Sequence, residues 1–285
     1  MRNLTMMTDL YQLTMMYGYY KHGMRDNLAT FDMFYRSKDE TTHYAIMAGL
    51  EQLIDYIQNL RFDEESLDYL RGLNIFDEDF LDELRHFKFH GDIQAVPEGT
   101  IVFSNEPLIR VTAPIFEAQL VETALLNIIN HQTLIATKAS RVVQAAEGGT
   151  VMEFGLRRAQ GPDAGIYGAR AAIIGGCKST SNVLTGQMYN IPIAGTHAHS
   201  WVMSFPDEIT AFRKYAEMFP TSCLLLVDTF DTLRSGVPNA IKVFDELRAK
   251  GYEPKGIRLD SGDLAYLSRE ARKMLDAAGY PDTVI

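Results

Sequence analysis

The 285-residue chain is 46% hydrophobic and 22% charged and has a formal net charge of −10. This composition is typical of a globular protein with one large or two modest domains. The negative charge argues against a general nucleic-acid binder, and no apolar run approaches the ~18 residues of a membrane span, so we expect neither nucleic acid nor a membrane as partner. There is no signal-peptide pattern, and Cys177 and Cys223 lie far apart, so we expect a cytoplasmic protein.

Residues 1–135 predict an N-terminal α+β region with hairpins and a long helix. A helix is expected from Asp9 to about Tyr20. Between Asp63 and Glu83 nine acids stand against one arginine, and apolar residues recur at helical spacing, which indicates the solvated surface of amphipathic helices. Residues 91–111 contain strand-like segments broken by Pro-Glu-Gly and Asn-Glu-Pro, which predicts antiparallel hairpins. A long helix is expected over Ile115 to Ala146.

Residues 136–285 predict a parallel (β/α) barrel region, because strands and helices alternate there. The predicted strands are Val151–Phe154, one near Gly176–Ser179, Ile191–Ala194, Leu224–Val227, Gly256–Leu259 and Thr283–Ile285. The predicted helices are Ala164–Ile174, Pro206–Met218, Val237–Lys250 and Leu264–Ala278. These are roughly six of the eight strands of a closed barrel. We therefore expect a truncated barrel with its C-terminal part missing.

Three successive strand-like runs end in polar or ionisable residues. The first precedes Gly195-Thr-His-Ala-His-Ser, the second ends at Asp228, and the third carries Arg258 and Asp260. The carboxyl ends of parallel strands meet at one edge of a sheet, where active sites lie. The sequence therefore predicts an active site that contains these side chains.

Positive charge is concentrated between Lys138 and Lys178, which hold six cations and three acids. This local excess favours a pocket for an anionic small molecule, although scattered surface cations give the same count. Within it, Arg157 can bind a carboxylate or phosphate through two nitrogens. The loop from Gly175 to Asn182, which includes Ser179, can offer N–H and O–H donors to phosphate, but ordinary turn chemistry explains it equally well.

The pair His197 and His199 has two competing explanations. An HxH pair at a strand end can bind a divalent metal, as in metal-dependent amidohydrolase barrels. A metal site needs further ligands, however, and no histidine follows His199 in the chain. One of the two histidines can be a buried structural residue, and a nucleophilic or acid–base role fits the other better.

Five motifs occur in the order seen in nicotinate phosphoribosyltransferases, and the chain resembles this family over nearly its whole length. They are Met7-Thr-Asp-Leu-Tyr11-Gln-Leu-Thr-Met, Phe154-Gly-Leu-Arg-Arg-Ala-Gln-Gly-Pro-Asp, Ser179-Thr-Ser-Asn-Val-Leu, Gly195-Thr-His-Ala-His-Ser and Ile257-Arg-Leu-Asp-Ser-Gly-Asp. The resemblance implies a type II phosphoribosyltransferase-like α/β fold. It also implies an enzyme that joins nicotinate to 5-phosphoribosyl-1-diphosphate, giving nicotinate mononucleotide and diphosphate for NAD biosynthesis. ATP hydrolysis through a phosphohistidine drives this reaction in the family.

The resemblance also implies residue roles. It assigns the phosphohistidine to His199, whereas the position of His197 is variable in the family. Asp228 and Asp260 resemble rim carboxylates near the ribose and magnesium. The implied substrate-binding residues are Tyr11, Arg157, Ser179, Asn182, Thr196 and Arg258.

The implied co-substrate is ATP, the implied metal is Mg²⁺ carried with diphosphate or ATP, and the implied assembly is a homodimer in which Tyr11 completes the partner's site. Three alternatives stay open. The chain can be a catalytically incomplete fragment that only binds ligand or assembles, or a metal-dependent amidohydrolase-type barrel. The nearest enzyme alternative is quinolinate phosphoribosyltransferase, which needs no ATP or phosphohistidine, so the His199 motif argues against it.

Overall fold

The computed structural model describes residues 3–37 and 43–285. Two compact units make up the chain, Met1–Ala194 and Gly195–Ile285. The domain boundary near residue 135 that the sequence indicates stays a prediction. In the described part of the chain, no helix combines the length and the apolar character that crossing a membrane requires.

The first unit begins with helices and short antiparallel strands and ends with parallel strands. Its elements are α1 (Leu10–Lys21), β1 (Leu28–Phe34), β2 (Ala45–Ile46), α2 (Leu50–Gln58), α3 (Glu64–Gly72), α4 (Glu78–Arg85), β3 (Asp92–Ala95), β4 (Ile101–Val102), β5 (Pro107–Pro114), α5 (Ile115–Ala145), β6 (Met152–Glu153), a 3₁₀ turn (Leu156–Arg158), α6 (Pro162–Ile174), β7 (Ser179–Thr180) and α7 (Val183–Tyr189).

The acidic segment forms the two amphipathic helices α3 and α4, as predicted. Each begins at an aspartate, Asp63 or Asp77, whose side chain accepts a hydrogen bond from a backbone N–H of the first turn. The apolar faces of the two helices are buried in the core of the unit. The buried side chains on these faces are Leu67, Leu70, Phe80, Leu81 and Leu84. Leu73, which is also apolar, follows the end of α3 and is exposed.

The antiparallel part is confirmed, with a pairing that the sequence did not predict. Strand β5 lies between β1 and β3 and is antiparallel to both, while β4 pairs with the earlier β2. Helix α5 packs against this region, and two of its threonine side chains accept hydrogen bonds from the backbone at and just after β2. The hydroxyl of Thr137 accepts from the Ile46 N–H at 2.9 Å and that of Thr133 from the Ala48 N–H at 3.3 Å. These bonds satisfy backbone donors that a two-residue strand leaves unpaired.

Parallel strands begin after α5, as the alternating pattern predicted. In the first unit β6 is parallel to β7, and Thr180 forms one further parallel bridge to Ile193. The predicted strand Ile191–Ala194 is therefore a single bridge in the structure. The predicted helix over Ala164–Ile174 is confirmed as α6, which begins two residues earlier at Pro162.

The second unit alternates helices with two parallel strands. Its elements are α8 (His199–Met203), α9 (Glu208–Met218), β8 (Leu224–Leu226), a π-helix (Thr232–Gly236), α10 (Val237–Ala249), β9 (Gly256–Arg258) and α11 (Leu264–Ala277). Strand β8 is parallel to β9 in the register Leu226↔Arg258, and the predicted last strand is one bridge from Val284 to Gly256. The aromatic side chains Phe212, Phe244 and Tyr280 are buried around these strands.

Candidate active site at the ends of β8 and β9

The parallel pairing of β8 and β9 brings their carboxyl ends to one edge. The Val227 N–H donates to the Arg258 carbonyl at 3.2 Å, so the residues that follow each strand are neighbours. Asp228 follows β8 and Asp260 follows β9. Gly236 packs against the backbone at the end of β8, and a Cβ at this position would lie 1.8 Å from the Val227 carbonyl oxygen. The end of the π-helix, just before α10, is therefore packed closely against the backbone that precedes Asp228.

His199 contacts the carboxylate of Asp228. Its Nε2 lies 3.1 Å from Asp228 Oδ1, and the two side chains are 38% and 1% exposed. The sequence indicated that His199 lies at the end of a strand. In the structure it is instead the first residue of α8. The histidine side chain is therefore accessible on one side and held by a buried carboxylate on the other.

The second oxygen of Asp228 is also occupied. Its Oδ2 accepts from the Asp260 N–H at 2.8 Å and from the Ser261 hydroxyl at 2.6 Å. Burial acts to raise the pKa of Asp228, but the hydrogen bonds from Ser261, Asp260 and His199 outweigh burial and lower this pKa below the ordinary aspartate value. Asp228 is consequently an anion near neutral pH, with three donors on its two oxygens.

This charge state determines which nitrogen of His199 carries the proton. A carboxylate only accepts hydrogen bonds, so Nε2 of the neutral ring must be the donor. The other nitrogen, Nδ1, then carries the lone pair, and it has no hydrogen-bond partner within residues 3–37 and 43–285. His199 therefore presents a nucleophilic nitrogen on its accessible side.

His197, two residues earlier, is buried and structural. Its Nε2 accepts from the Leu226 N–H of β8 at 3.2 Å, and Nδ1 faces the Ala198 carbonyl at 3.5 Å. The ring packs edge-on against Tyr215, with centroids 4.6 Å apart. Burial lowers the pKa of His197 to about 4, with further lowering by the charges of Arg258 and His199. The ring is thus neutral near pH 7 and joins the loop to β8.

This arrangement disfavours a metal at the histidine pair. Both nitrogens of His197 face backbone groups, and Nε2 of His199 faces Asp228, so the two rings offer no shared pair of free nitrogens. In the described part of the chain, no cluster of three or more His, Cys, Asp or Glu side chains is placed to hold a metal ion. The geometry therefore supports the nucleophilic interpretation of His199 over chelation.

Arg258 and Thr196 form a second contact in this unit. One guanidinium nitrogen of Arg258 donates to the Thr196 hydroxyl, and another lies 3.9 Å from Asp260 Oδ2. The Nε of Arg258 is buried without a hydrogen-bond partner in the part of the chain that the structure describes. A buried N–H of this kind is costly unless a ligand accepts from it, so Arg258 is suited to bind an anion.

The remaining predicted residues lie in the first unit. Ser179 is buried in β7, and Asn182 caps α7 by accepting from the Thr185 N–H while its amide donates to the Gly165 carbonyl. Arg157 lies in the 3₁₀ turn and Tyr11 in α1, and both side chains are exposed. Asn182 therefore has a structural role here, and the substrate-binding roles of these residues stay predictions.

Known proteins show similarity along nearly all of the chain. Residues 6–130 match the model of the nicotinate phosphoribosyltransferase N-terminal domain, and residues 150–280 match the model of the nicotinate phosphoribosyltransferase family. The chain is 50% identical, over 99% of its length, to nicotinate phosphoribosyltransferase of Bacillus subtilis.

The chain belongs to the nicotinate phosphoribosyltransferase family. It is also 45% identical, over 95% of its length, to nicotinate phosphoribosyltransferase pncB2 of Mycobacterium tuberculosis. It spans 57% and 58% of the lengths of these two relatives. The resemblance that the five motifs indicated is confirmed.

Solved structures agree with this family membership. The structure of human nicotinic acid phosphoribosyltransferase is similar with a TM-score of 0.88 and 34% identity, covering 95% of this chain and 64% of that chain. Nicotinate-nucleotide pyrophosphorylase from Pyrococcus furiosus is similar with a TM-score of 0.79 and 23% identity, covering 98% of this chain and 64% of that chain, which shows the fold alone. The expected fold is therefore confirmed as that of the nicotinate phosphoribosyltransferase family, with an N-terminal domain and an α/β region.

Sequence reasoning about this family site missed two contributions. The Ile257-Arg-Leu-Asp-Ser-Gly-Asp motif contains Ser261 but does not indicate its role, and the Leu226 N–H is a backbone group that no side-chain pattern reveals. The strand-end pattern predicts that Asp228 lies near the residues after β9, but it does not distinguish Asp228 from Asp260 as the partner of His199. Only the three-dimensional pairing of β8 with β9 identifies Asp228 as that carboxylate.

The structure predicts that His197 makes stability depend on pH. Its pKa of about 4 in the fold lies below its ordinary 6.5, so the unfolded chain binds more protons between these values. The stability that neutral His197 provides is complete above about pH 6.5 and is lost as the pH falls toward 4. Between pH 7.5 and 5 we expect a loss of about 2 kcal/mol in the free energy of unfolding from this group.

Urea unfolding at the two pH values measures this loss. His197→Gln keeps an acceptor for the Leu226 N–H but cannot be protonated, so its pH dependence should be shallower than that of the parent. His86→Gln is the matched control, because the His86 side chain is 71% exposed. An equal pH dependence in parent and His197→Gln would show that His197 is not the responsible group.

Proposed function

We propose that this chain acts as a nicotinate phosphoribosyltransferase, joining nicotinate to 5-phosphoribosyl-1-diphosphate with ATP as co-substrate. The product is nicotinate mononucleotide, a precursor for NAD biosynthesis. The observation that carries the ATP-coupled part is the His199–Asp228 contact, which leaves Nδ1 of an accessible histidine as a nucleophile. Membership of the family supports the choice of nicotinate.

The glycosyl transfer itself needs positioning and charge stabilisation more than acid–base chemistry. The pyridine nitrogen of nicotinate already has a lone pair, and departure of diphosphate leaves positive charge on the ribose. Arg258 is the proposed partner of the nicotinate carboxylate, because its buried Nε needs an acceptor and its contact with Thr196 fixes the guanidinium. Thr196, Tyr11, Arg157, Ser179 and Asn182 are proposed to help bind substrates.

The phosphoryl transfer is proposed to use Nδ1 of His199. Its lone pair attacks the γ-phosphorus of ATP, an N–P bond forms, and the bond from this phosphorus to the bridging oxygen breaks, so ADP leaves. The proton on Nε2 stays in place, and the ring becomes positively charged. The buried carboxylate of Asp228 at 3.1 Å stabilises that charge, as a carboxylate does for the imidazolium of a Ser-His-Asp triad.

Asp260 is the rim carboxylate that fits a magnesium ion carried by the substrate. Its side chain is 43% exposed, whereas both oxygens of Asp228 are occupied by protein donors. Carboxylate oxygens suit Mg²⁺, which would neutralise charge on diphosphate or ATP when bound there. Asp228 is proposed to serve His199 instead.

We also propose a (β/α) barrel for the parallel strands, a homodimer and a cytoplasmic location.

Apolar surface on the first unit supports the proposed dimer. In α1 the side chains of Leu10, Tyr11 and Met15 are 40–54% exposed, and a groove of about 680 Å³ lies between β1, β5 and α5. Exposed apolar patches of this kind are typical of protein interfaces. Tyr11 is proposed to reach the site of the partner subunit.

Replacement of Arg258 tests the substrate. Arg258→Ala should raise the KM for nicotinate by about tenfold or more, because a charge-assisted hydrogen bond to the carboxylate is lost. The parent should prefer nicotinate over nicotinamide, which lacks the carboxylate. Steady-state kinetics with both substrates provides the measurement.

Arg213→Ala is the control for this substitution, because Arg213 forms an exposed ion pair with Glu246 on helices α9 and α10. It should leave the KM for nicotinate near the parent value. Equal use of nicotinate and nicotinamide by the parent would contradict the assignment of Arg258 to the carboxylate.

ATP labelling tests the phosphohistidine. Incubation with γ-³²P-labelled ATP and Mg²⁺ should label the protein with the acid-labile, base-stable behaviour of a phosphoramidate. His199→Ala should remove the label, because it removes the nucleophilic nitrogen. His197→Gln should keep most of the label, since it can still accept from the Leu226 N–H. A label that survives in His199→Ala would overturn the assignment of His199.

A further inference from the structure

Ser261 follows the end of β9 and holds the carboxylate that contacts His199. Its hydroxyl donates to Asp228 Oδ2 at 2.6 Å, the shortest of the three hydrogen bonds on that carboxylate. Asp228 itself is 1% exposed at its side chain, so its orientation depends on these protein donors. Ser261 has no hydrogen bond to His199 in the part of the chain that the structure describes, so any effect on the histidine passes through Asp228.

We propose that Ser261 is a positioning residue for the phosphorylation of His199, an inference that rests on the proposed function. The hydroxyl fixes Oδ2, and thereby turns Oδ1 toward Nε2 of the histidine. This keeps the proton on Nε2 and the lone pair on Nδ1.

Two donors of different kinds reach Oδ2 of Asp228. The Asp260 backbone N–H donates at 2.8 Å, and the Ser261 hydroxyl is a second donor to the same oxygen at the shorter distance of 2.6 Å. Two donors on Oδ2 and His199 on Oδ1 define one orientation of the group.

The loop that carries Ser261 also allows a clean substitution. The residue is exposed, and it lies between β9 and α11 outside the buried core of the unit. Removal of its hydroxyl should therefore change the environment of Asp228 without a large loss of stability. Ser261→Thr retains a hydroxyl on the same carbon and is the conservative variant.

The test measures the rate of His199 phosphorylation in a single turnover with labelled ATP and Mg²⁺ for the parent, Ser261→Ala and Ser261→Thr. Ser261→Ala should lower the rate of labelling by at least about tenfold, the loss expected when a hydrogen bond to a charged group is removed. Ser261→Thr should stay within about threefold of the parent. The concentration of ATP that gives half the maximal rate should change little, because Ser261 acts after ATP has bound.

A second measurement separates positioning from a general structural role. ATP-independent synthesis of nicotinate mononucleotide is measured in His199→Ala and in His199→Ala combined with Ser261→Ala. Ser261 is proposed to act through Asp228 on His199, so both variants, which lack His199, should have the same rate. A further loss in the double variant would overturn the proposal, as would a parent-like labelling rate in Ser261→Ala.

These outcomes are distinct from failure of the proposed function. If the parent protein takes no label from ATP, the phosphohistidine and this proposal both fail. If the parent is labelled on His199 and Ser261→Ala is labelled equally fast, only the role of Ser261 is wrong. A thermal melt of each variant confirms that the labelled species is folded.

Discussion

The contact between His199 and the buried carboxylate of Asp228 is the interaction on which the chemistry of this site depends. A carboxylate with three donors on two oxygens stays ionised, and an ionised carboxylate requires Nε2 of His199 to carry the proton. The nucleophilic nitrogen is thereby fixed as Nδ1. The parallel pairing of β8 with β9 creates this arrangement, because it places Asp228 beside the backbone N–H of Asp260.

The two histidines of the Gly195-Thr-His-Ala-His-Ser segment have separate tasks, and burial separates them. His197 is 8% exposed and uses Nε2 to accept from the backbone of β8, the strand that ends just before Asp228. His199 keeps an accessible face and contacts Asp228. One histidine therefore attaches the segment to the strand and the other presents a reactive nitrogen. The same strand fixes both His197 and the carboxylate partner of His199.

The sequence predicted most of the helices, but not α2, α7 or α8. It also predicted the parallel strands after α5 and the convergence of polar residues after β8 and β9, because these follow from periodicity and from the geometry of parallel strands. It did not predict which residues distant in sequence would pair with one another. The local cation excess included Arg170, which in the structure forms ion pairs with Glu98 and Glu51. Strands β1 and β2 were missed as well. Strand β1 pairs with β5, about 80 positions away, and such a long-range pairing leaves no local signal.

The tautomer of His199 tests the central claim most directly. Two-bond ¹H–¹⁵N correlation NMR of histidine-labelled protein at pH 8 reports which nitrogen of each neutral ring carries the proton, and His199→Ala identifies the signal by its loss. The account predicts a proton on Nε2 and a bare Nδ1 for His199, with the opposite pattern for His197, whose Nε2 accepts from the Leu226 N–H. A His199 ring protonated on Nδ1 with a bare Nε2 would contradict the account.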